Sequence, residues 1–235
     1  MSRNTDIIRY RFRGAQLPPL VANRAGDFCR LTVETAGTPS VATVAGGAMR
    51  LLLTNNNEVQ SACLYQGNIL PFDINDLARI EFLARSTVAL AATDQIVIGV
   101  GGTQNADPTL VAQAAMFRMT ANDNIVIDTR DGINTVAGAA TGQTLVGTYK
   151  RLVIDFASGN LTQSPPGASV GGLGDVRFYV SNINGSLRRV AAGQRFRLDA
   201  FTGNLQIIAQ LQKAQAVTVP CLEILGIDVE LKLPR

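Results

Sequence analysis

Two runs of alternating apolar and polar residues, at 149–156 and 175–180, dominate the middle of the chain. The apolar positions that share one side of each run are Leu152, Ile154, Phe156, Val176, Phe178 and Val180. A segment rich in Gly, Pro and Ser joins the two runs, so the pattern predicts two paired strands with one buried face. Because such a pair is only marginally stable alone, we expect a second layer of strands to pack over it.

The rest of the chain repeats this pattern in shorter form. Brief apolar or alternating runs are separated by turn signals, with little helix and no alternation of strands with helices. Asp107-Pro108 suits the start of a short helix, residues 137–144 are predicted to be a small-residue loop, and residues 194–201 are predicted to be a strand. The whole predicts an all-β fold, a two-layer antiparallel β-sandwich or jelly roll.

The N-terminal segment carries the basic charge of the protein. Residues 1–30 hold six arginines and two aspartates, a charge of +4, whereas the whole chain is +3, so residues 31–235 sum to −1. Ile8, Tyr10 and Phe12 alternate there with Arg9, Arg11 and Arg13. The pattern predicts a strand with one apolar and one cationic face. It suits an edge strand with solvated arginines, an arm that lies on an acidic neighbouring subunit, or a small nucleic-acid contact.

Composition narrows the possible chemistry. The chain has no histidine, which excludes Ser-His-Asp and Cys-His catalysis and histidine-ligated metals. Cys29, Cys63 and Cys221 are an odd number at wide spacing, so they are expected to be buried free thiols. Charged residues make up 17% of the chain, against a typical value of about 25%. No run of about 20 apolar residues predicts a membrane span, and no secretory signal is apparent.

Two groups of polar residues could carry chemistry. Asp128, Asp131 and Asn134 have oxygen atoms at a spacing that could hold calcium, but the motif lacks the full set of acidic ligands of a helix-loop-helix site, and a plain Asp-Gly turn is favoured.

The second group lies in the C-terminal run and contains Glu223, Asp228 and Glu230. Asp228 and Glu230 share a strand face about 7 Å apart and could act as a glycosidase pair. The alternative is the solvent side of an amphipathic strand whose other face is Ile227, Val229 and Leu231.

The second half resembles the concanavalin-A-like lectin/glucanase jelly rolls found in structural proteins of tailed bacteriophages. The resemblance rests on an ordered series of strand types at residues 80–85, 96–100, 115–118, 149–156, 176–180, 205–213 and 222–229, with the Asp131-Gly132 turn between the third and fourth. Glucanases of this fold carry a Glu-x-Asp-x-Glu strand, which is absent here, and the chain has no Trp for a sugar platform. The resemblance therefore implies a structural role and no enzyme activity.

We therefore expect an N-terminal arm at residues 1–24 and one jelly-roll domain at 25–235, with added strands at 25–77 and the resemblance at 78–233. The expected function is that of a virion structural protein, made in the host cytoplasm: a capsid cement, decoration or minor capsid subunit. Its expected partners are the major capsid protein or other virion subunits and copies of itself, with a trimer favoured. Neither a membrane nor nucleic acid is expected as a partner, and no catalytic residue, cofactor or metal is assigned.

The residues expected to bind the partner are Arg9, Tyr10, Arg11, Phe12 and Arg13. The alternative function is a carbohydrate-binding jelly-roll module of a phage tail or cell-surface protein.

Overall fold

The computed structural model describes residues 5–12, 17–22, 24–121, 124–156 and 172–232, which form two eight-stranded sheets. The strands of sheet A are β1 (Thr5–Arg11), β3 (Ser40–Val44), β4 (Ala48–Leu52), β7 (Leu77–Ser86), β12 (Lys150–Asp155), β13 (Arg177–Asn182), β14 (Arg188–Arg189) and β16 (Cys221–Lys232). The strands of sheet B are β2 (Cys29–Val33), β5 (Glu58–Tyr65), β6 (Phe72–Asp73), β8 (Asp94–Gly101), β9 (Gln113–Met119), β10 (Asn124–Asp131), β11 (Thr135–Thr144) and β15 (Asn204–Ala216). All pairings between these strands are antiparallel, so the two-layer antiparallel β-sandwich is confirmed.

The central hairpin follows the sequence pattern. Strand β12 pairs with β13 in register, with Leu152 opposite Val180 and Ile154 opposite Phe178. These four side chains are buried in the core between the sheets. Full burial of one such side chain contributes about 1.5–3 kcal/mol, so the alternation predicted both the strands and the face that they bury.

Strand β16 organises sheet A. One edge of β16 pairs with β7 along most of its length. The other edge pairs with β4 over Cys221–Ile224 and with β1 over Gly226–Lys232. Residues 5–11, which lie within the N-terminal arm expected over residues 1–24, form a strand of the same sheet. The apolar side of β1 explains this, since Ile8 and Tyr10 pack against the core.

Sheet B packs against sheet A on its inner face, and part of its outer face is also covered. Residues 102–112 cross that face, and a second small apolar cluster lies there, including Val97, Met116 and Ile208. The buried amides of Gln206 and Gln210 donate to the carbonyl oxygens of Gly102 and Ala106, at 2.9 and 2.7 Å. This crossing segment therefore covers part of the outer face of sheet B.

Residues 137–144 are a strand and not the loop that their small side chains predicted. They belong to β11, which pairs with β10 and is the last strand in the described order of sheet B. The register shifts twice, and Gly138 and Gly142 have positive φ angles of 72° and 68°. Irregularities of this kind are β-bulges. They break the period-two pattern by which a strand is identified from sequence.

Residues 194–201 are not the strand that their alternation predicted. Phe196 and Leu198 are buried, but among the described residues the segment forms only an isolated bridge between Phe196 and Val176. The predicted helix start at Asp107 is confirmed as one 3-10 turn, Pro108–Leu110, in which the Asp107 side chain accepts a hydrogen bond from the Thr109 N–H at 2.9 Å.

Candidate functional site

The predicted partner-binding residues divide between the two faces of sheet A. Strand alternation sends Arg9 and Arg11 to the outer face and Tyr10 to the interior. The rings of Tyr10 and Phe28 pack edge to face, with their centroids 4.9 Å apart. The ring of Phe12 also packs against that of Phe28, at a centroid distance of 5.9 Å. Burial raises the pKa of Tyr10, so its hydroxyl stays protonated. Arg13 lies outside the described residues.

Arg11 lies across β16. Its Nη1 is 2.5 Å from Asp228 Oδ1 and donates to the carbonyl oxygen of Ile227 at 3.3 Å. Gly226 makes this path possible, because a Cβ atom there would lie 2.9 Å from Arg11 Nη1. The carboxylate of Asp228 raises the pKa of the guanidinium further, so Arg11 is always charged.

A groove opens beside Arg11 on the outer face of sheet A. This outer groove has a volume of about 320 Å³ and is bounded by β1, the turn between β3 and β4, β16 and β7. Its lining residues are Arg11, Phe12, Gly46, Gly47, Glu81, Leu83, Leu225, Gly226 and Asp228. Leu83 and Leu225 supply apolar surface, while Arg11, Glu81 and Asp228 supply charged hydrogen-bonding groups. Gly46 and Gly47 have no side chains, so the groove is shallow on the side formed by the turn between β3 and β4.

Two carboxylates face each other at one end of the outer groove. Asp228 of β16 pairs in register with Glu81 of β7, an arrangement in which like charges repel. Arg11 offsets this for Asp228, and Arg79 and Arg151 donate to Glu81 at 2.6 Å each. A smaller groove on the other side of this pair is lined by Ile7, Arg9, Arg79, Glu81, Asp228 and Glu230.

The carboxylate neighbours differ from those suggested by the sequence. Asp228 and Glu230 do lie on one face of β16, but across the sheet Asp228 faces Glu81, whereas Glu230 faces Arg79. Sequence reasoning did not assign Glu81, Leu83, Leu225 or Gly226 to a site. The charge of Glu81 was visible, but its place beside Asp228 depends on the strand register.

Glu223 belongs to a separate group, which lies next to the outer groove on the same face. Arg50 Nη2 contacts Glu223 Oε1 at 2.5 Å, Arg85 Nη2 contacts Oε2 at 2.8 Å, and the Tyr149 hydroxyl donates to Oε2 at 3.0 Å. Burial acts to raise the pKa of Glu223, but these hydrogen bonds outweigh it and lower the pKa. We call Arg50, Glu223 and Arg85 the arginine clamp.

The Asp128 and Asp131 carboxylates are occupied by protein groups. Asp128 accepts from Arg118 Nε at 2.5 Å and from the Gly138 N–H at 2.7 Å. Asp131 accepts from both the backbone and the side chain of Asn134, at 2.5 and 2.8 Å. The turn interpretation is therefore confirmed for this segment.

Two further expectations concern metals and thiols. In the parts of the chain that the structure describes, no three acidic, cysteine or histidine side chains lie close enough together to hold a metal ion. Cys29, Cys63 and Cys221 are buried free thiols, as expected. No helix within the described ranges is long and apolar enough to span a membrane.

Comparisons with known proteins define the class of fold. No family model matches the chain, and no curated protein matches it. Among solved structures, a protein of unknown function from Shewanella oneidensis is 12% identical with a TM-score of 0.57, over 99% of this chain and 88% of that one. The carbohydrate recognition domain of Emp47p is 15% identical with a TM-score of 0.54, over 92% and 94%. The beta-glucanase of Bacillus licheniformis is 11% identical with a TM-score of 0.55, over 92% and 98%.

The chain therefore has the jelly-roll sandwich fold of the concanavalin-A-like lectins and glucanases. At these identities the similarity establishes the fold alone. None of these comparisons supports the bacteriophage, virion or capsid part of the prediction made from sequence.

Proposed function

We propose that this chain is a non-catalytic carbohydrate-binding domain and that a saccharide binds in the outer groove. The observation that carries the proposal is the placement of Arg11, which Asp228 holds over Gly226 beside the apolar side chains of Leu83 and Leu225. Ligand sites typically combine apolar surface with a few fixed polar groups. A sugar ring has both an apolar C–H face and a rim of hydroxyl groups, so it matches this combination.

The fold comparisons support the proposal. Solved structures that resemble this chain include the Emp47p carbohydrate recognition domain and peanut lectin, the latter 13% identical with a TM-score of 0.54 over 98% of this chain and 99% of that one. These similarities favour the alternative made from sequence, a carbohydrate-binding module, over the virion role.

The charges in the outer groove favour binding over hydrolysis. A glycosidase needs one carboxyl group that donates a proton and a second that acts as base or nucleophile. Here Glu81 and Asp228 are both ion-paired with arginine, and arginine can only donate hydrogen bonds. Such carboxylates are placed to accept hydrogen bonds from sugar hydroxyl groups.

A single added methyl group tests the proposal. In Gly226→Ala the three atoms nearest to the new Cβ, at 2.9–3.3 Å, all belong to the flexible Arg11 side chain, which must move. We expect wild-type protein to bind glycans on an array of neutral and acidic saccharides, and Gly226→Ala to bind the same glycans at least tenfold more weakly. Gly193→Ala is the matched control, because a Cβ there meets no atom within 4 Å. It should bind like wild type.

Asp228→Asn provides a second variant, because it keeps the shape of the side chain and removes the charge that holds Arg11. It should also weaken glycan binding, while thermal unfolding shows that the protein is folded. If no glycan binds, or if Gly226→Ala and Asp228→Asn both bind as wild type does, the outer groove is not a saccharide site.

A further inference from the structure

The arginine clamp carries one positive charge that its own carboxylate does not cancel. Two guanidinium groups share the single carboxylate of Glu223. The Glu223 side chain is only 2% exposed, whereas those of Arg50 and Arg85 are 40% and 34% exposed. The carboxylate therefore lies beneath the two guanidinium groups, and the uncompensated charge faces solvent.

The guanidinium groups of the arginine clamp are held in fixed orientations. Arg50 and Arg85 each direct Nε and Nη2 at Glu223, so these contacts do not use Nη1 of either residue. The Arg85 guanidinium also stacks on the Tyr149 ring, 4.5 Å from its centroid. Because planar guanidinium groups match carboxylate and other oxyanions, a pre-oriented pair with one excess charge suits an anionic group.

The arginine clamp continues the outer groove along the strands. On β7, Arg85 is two residues beyond Leu83, and on β16 Glu223 is two residues before Leu225. Two residues of an extended strand span about 7 Å. A ligand whose uncharged ring lies over Leu83 and Leu225 therefore has its next substituent or ring beside Arg50 and Arg85.

We propose that the saccharide of the outer groove is acidic, and that its carboxylate or sulfate group is bound by Arg50 and Arg85. This inference rests on the proposed function and specifies the class of its ligand. The opposite end of the outer groove, with Arg11, Asp228 and Glu81, takes the hydroxyl groups, while the arginine clamp selects for the anion.

Matched glycans test the anion directly. The probes are oligogalacturonides and their methyl esters, in which a methyl group replaces the charge of each carboxylate, together with a sulfated oligosaccharide and its desulfated form. We expect wild-type protein to prefer at least one acidic member over its uncharged counterpart by tenfold or more. The pair that shows the preference identifies the anion as carboxylate or sulfate.

Arg50→Gln makes the arginine clamp neutral and leaves Arg85 to hold Glu223. The preference for the acidic glycan should fall to about onefold, while binding of the uncharged counterpart stays as in wild type. Arg50→Lys keeps the charge but loses the planar set of N–H donors of the guanidinium group, so it should retain only part of the preference. Arg197→Gln is the control, since it removes the same charge from an exposed pair with Asp199 elsewhere, and its preference should be unchanged.

The outcomes separate this inference from the proposed function. If wild type binds acidic and uncharged glycans equally, or if Arg50→Gln keeps the preference, the proposed anion site is wrong, whereas the proposed saccharide site in the outer groove is unaffected. If Arg197→Gln loses as much preference as Arg50→Gln, the effect is one of overall charge and the inference fails. If no glycan binds at all, the proposed function fails first.

Discussion

Lys213 is a buried cation held by backbone carbonyl groups. Its side chain lies in β15 and is almost fully buried. The Nζ atom donates to the carbonyl oxygens of Thr54, Asn56, Ala216 and Thr218 at 2.5–3.1 Å. An ammonium group has three N–H donors, so these four acceptors surround it completely. Lys213 thereby ties two turns to the end of β15.

Replacing Lys213 by Met should strongly destabilise the protein. The change removes the charged donor shared by four carbonyl groups, of which those of Thr54 and Asn56 keep a backbone N–H donor. A hydrogen bond to a charged group contributes about 1.5–3 kcal/mol. We expect the free energy of unfolding, measured in urea, to fall by about 3 kcal/mol or more. Lys150→Met removes one exposed contact with Asn182 and should cost less than about 1 kcal/mol. Equal losses for the two variants would contradict this role of Lys213.

Glu58 makes part of the stability depend on pH. The pKa of Glu58 is lowered from 4.5 to about 2, chiefly by the hydrogen bond from the Gln60 amide. Desolvation acts to raise this pKa, and hydrogen bonds from the backbone N–H groups of residues 35–37 lower it further. A carboxylate with a lowered pKa in the folded state stabilises the protein fully above its unfolded pKa. That contribution is lost as the pH falls through the folded value.

Glu58→Gln should therefore reduce the loss of stability that wild type shows at acidic pH. Between about pH 5 and pH 2.5 the urea midpoint of wild type should fall more than that of Glu58→Gln, because only wild type must protonate this group. Parallel decreases in both proteins would show that Glu58 does not contribute, and a nuclear magnetic resonance titration of Glu58 would give its pKa directly.

Only part of the candidate site could be predicted from single residues. The charges of Arg9, Arg11 and Asp228 and the alternation around them are visible in the sequence. The contact between Arg11 and Asp228 is not, because it depends on how β1 aligns with β16. The placement of Asp228 beside Glu81 depends in turn on a register shift between Ile224 and Gly226 in the pairing of β16 with β7, which no local pattern reveals.

At the scale of elements, β1 completes the sheet around β16. Its seven residues pair with Gly226–Lys232 in unbroken register, and its apolar side packs against the core. The sequence predicted the strand and its two faces. It could not show which strand supplies the partner edge, because strand pairing between the two ends of a chain leaves no local signal.

Deleting residues 1–12 should weaken the whole domain. The deletion exposes one edge of β16 and removes Ile8, Tyr10 and Phe12 from their contacts, for which a loss of about 3 kcal/mol or more is expected. The measurement is the urea midpoint, together with hydrogen exchange of the β16 amides. An independent arm would instead leave both unchanged. Protection of the Cys221–Ile224 amides, which pair with β4, serves as the internal control.

At the scale of the whole molecule, the two outer faces have different characters. The outer face of sheet A carries ion pairs around an open groove, whereas that of sheet B is crossed by residues 102–112 and has buried glutamine amides. Composition and alternation predicted the sandwich, because both follow from local residue order. They could not predict that residues 102–112 cover part of the outer face of sheet B, since that depends on where a loop returns across a sheet.

The most direct test of this account is the location of a bound saccharide. The strongest-binding glycan from the array is titrated into isotope-labelled protein, and the backbone amide resonances are followed. We predict that the shifts concentrate at the outer groove, at Gly47, Leu225 and Gly226, and leave Gln206 and Gln210 of sheet B unchanged. Shifts centred on sheet B, with none at the outer groove, would contradict the proposed site.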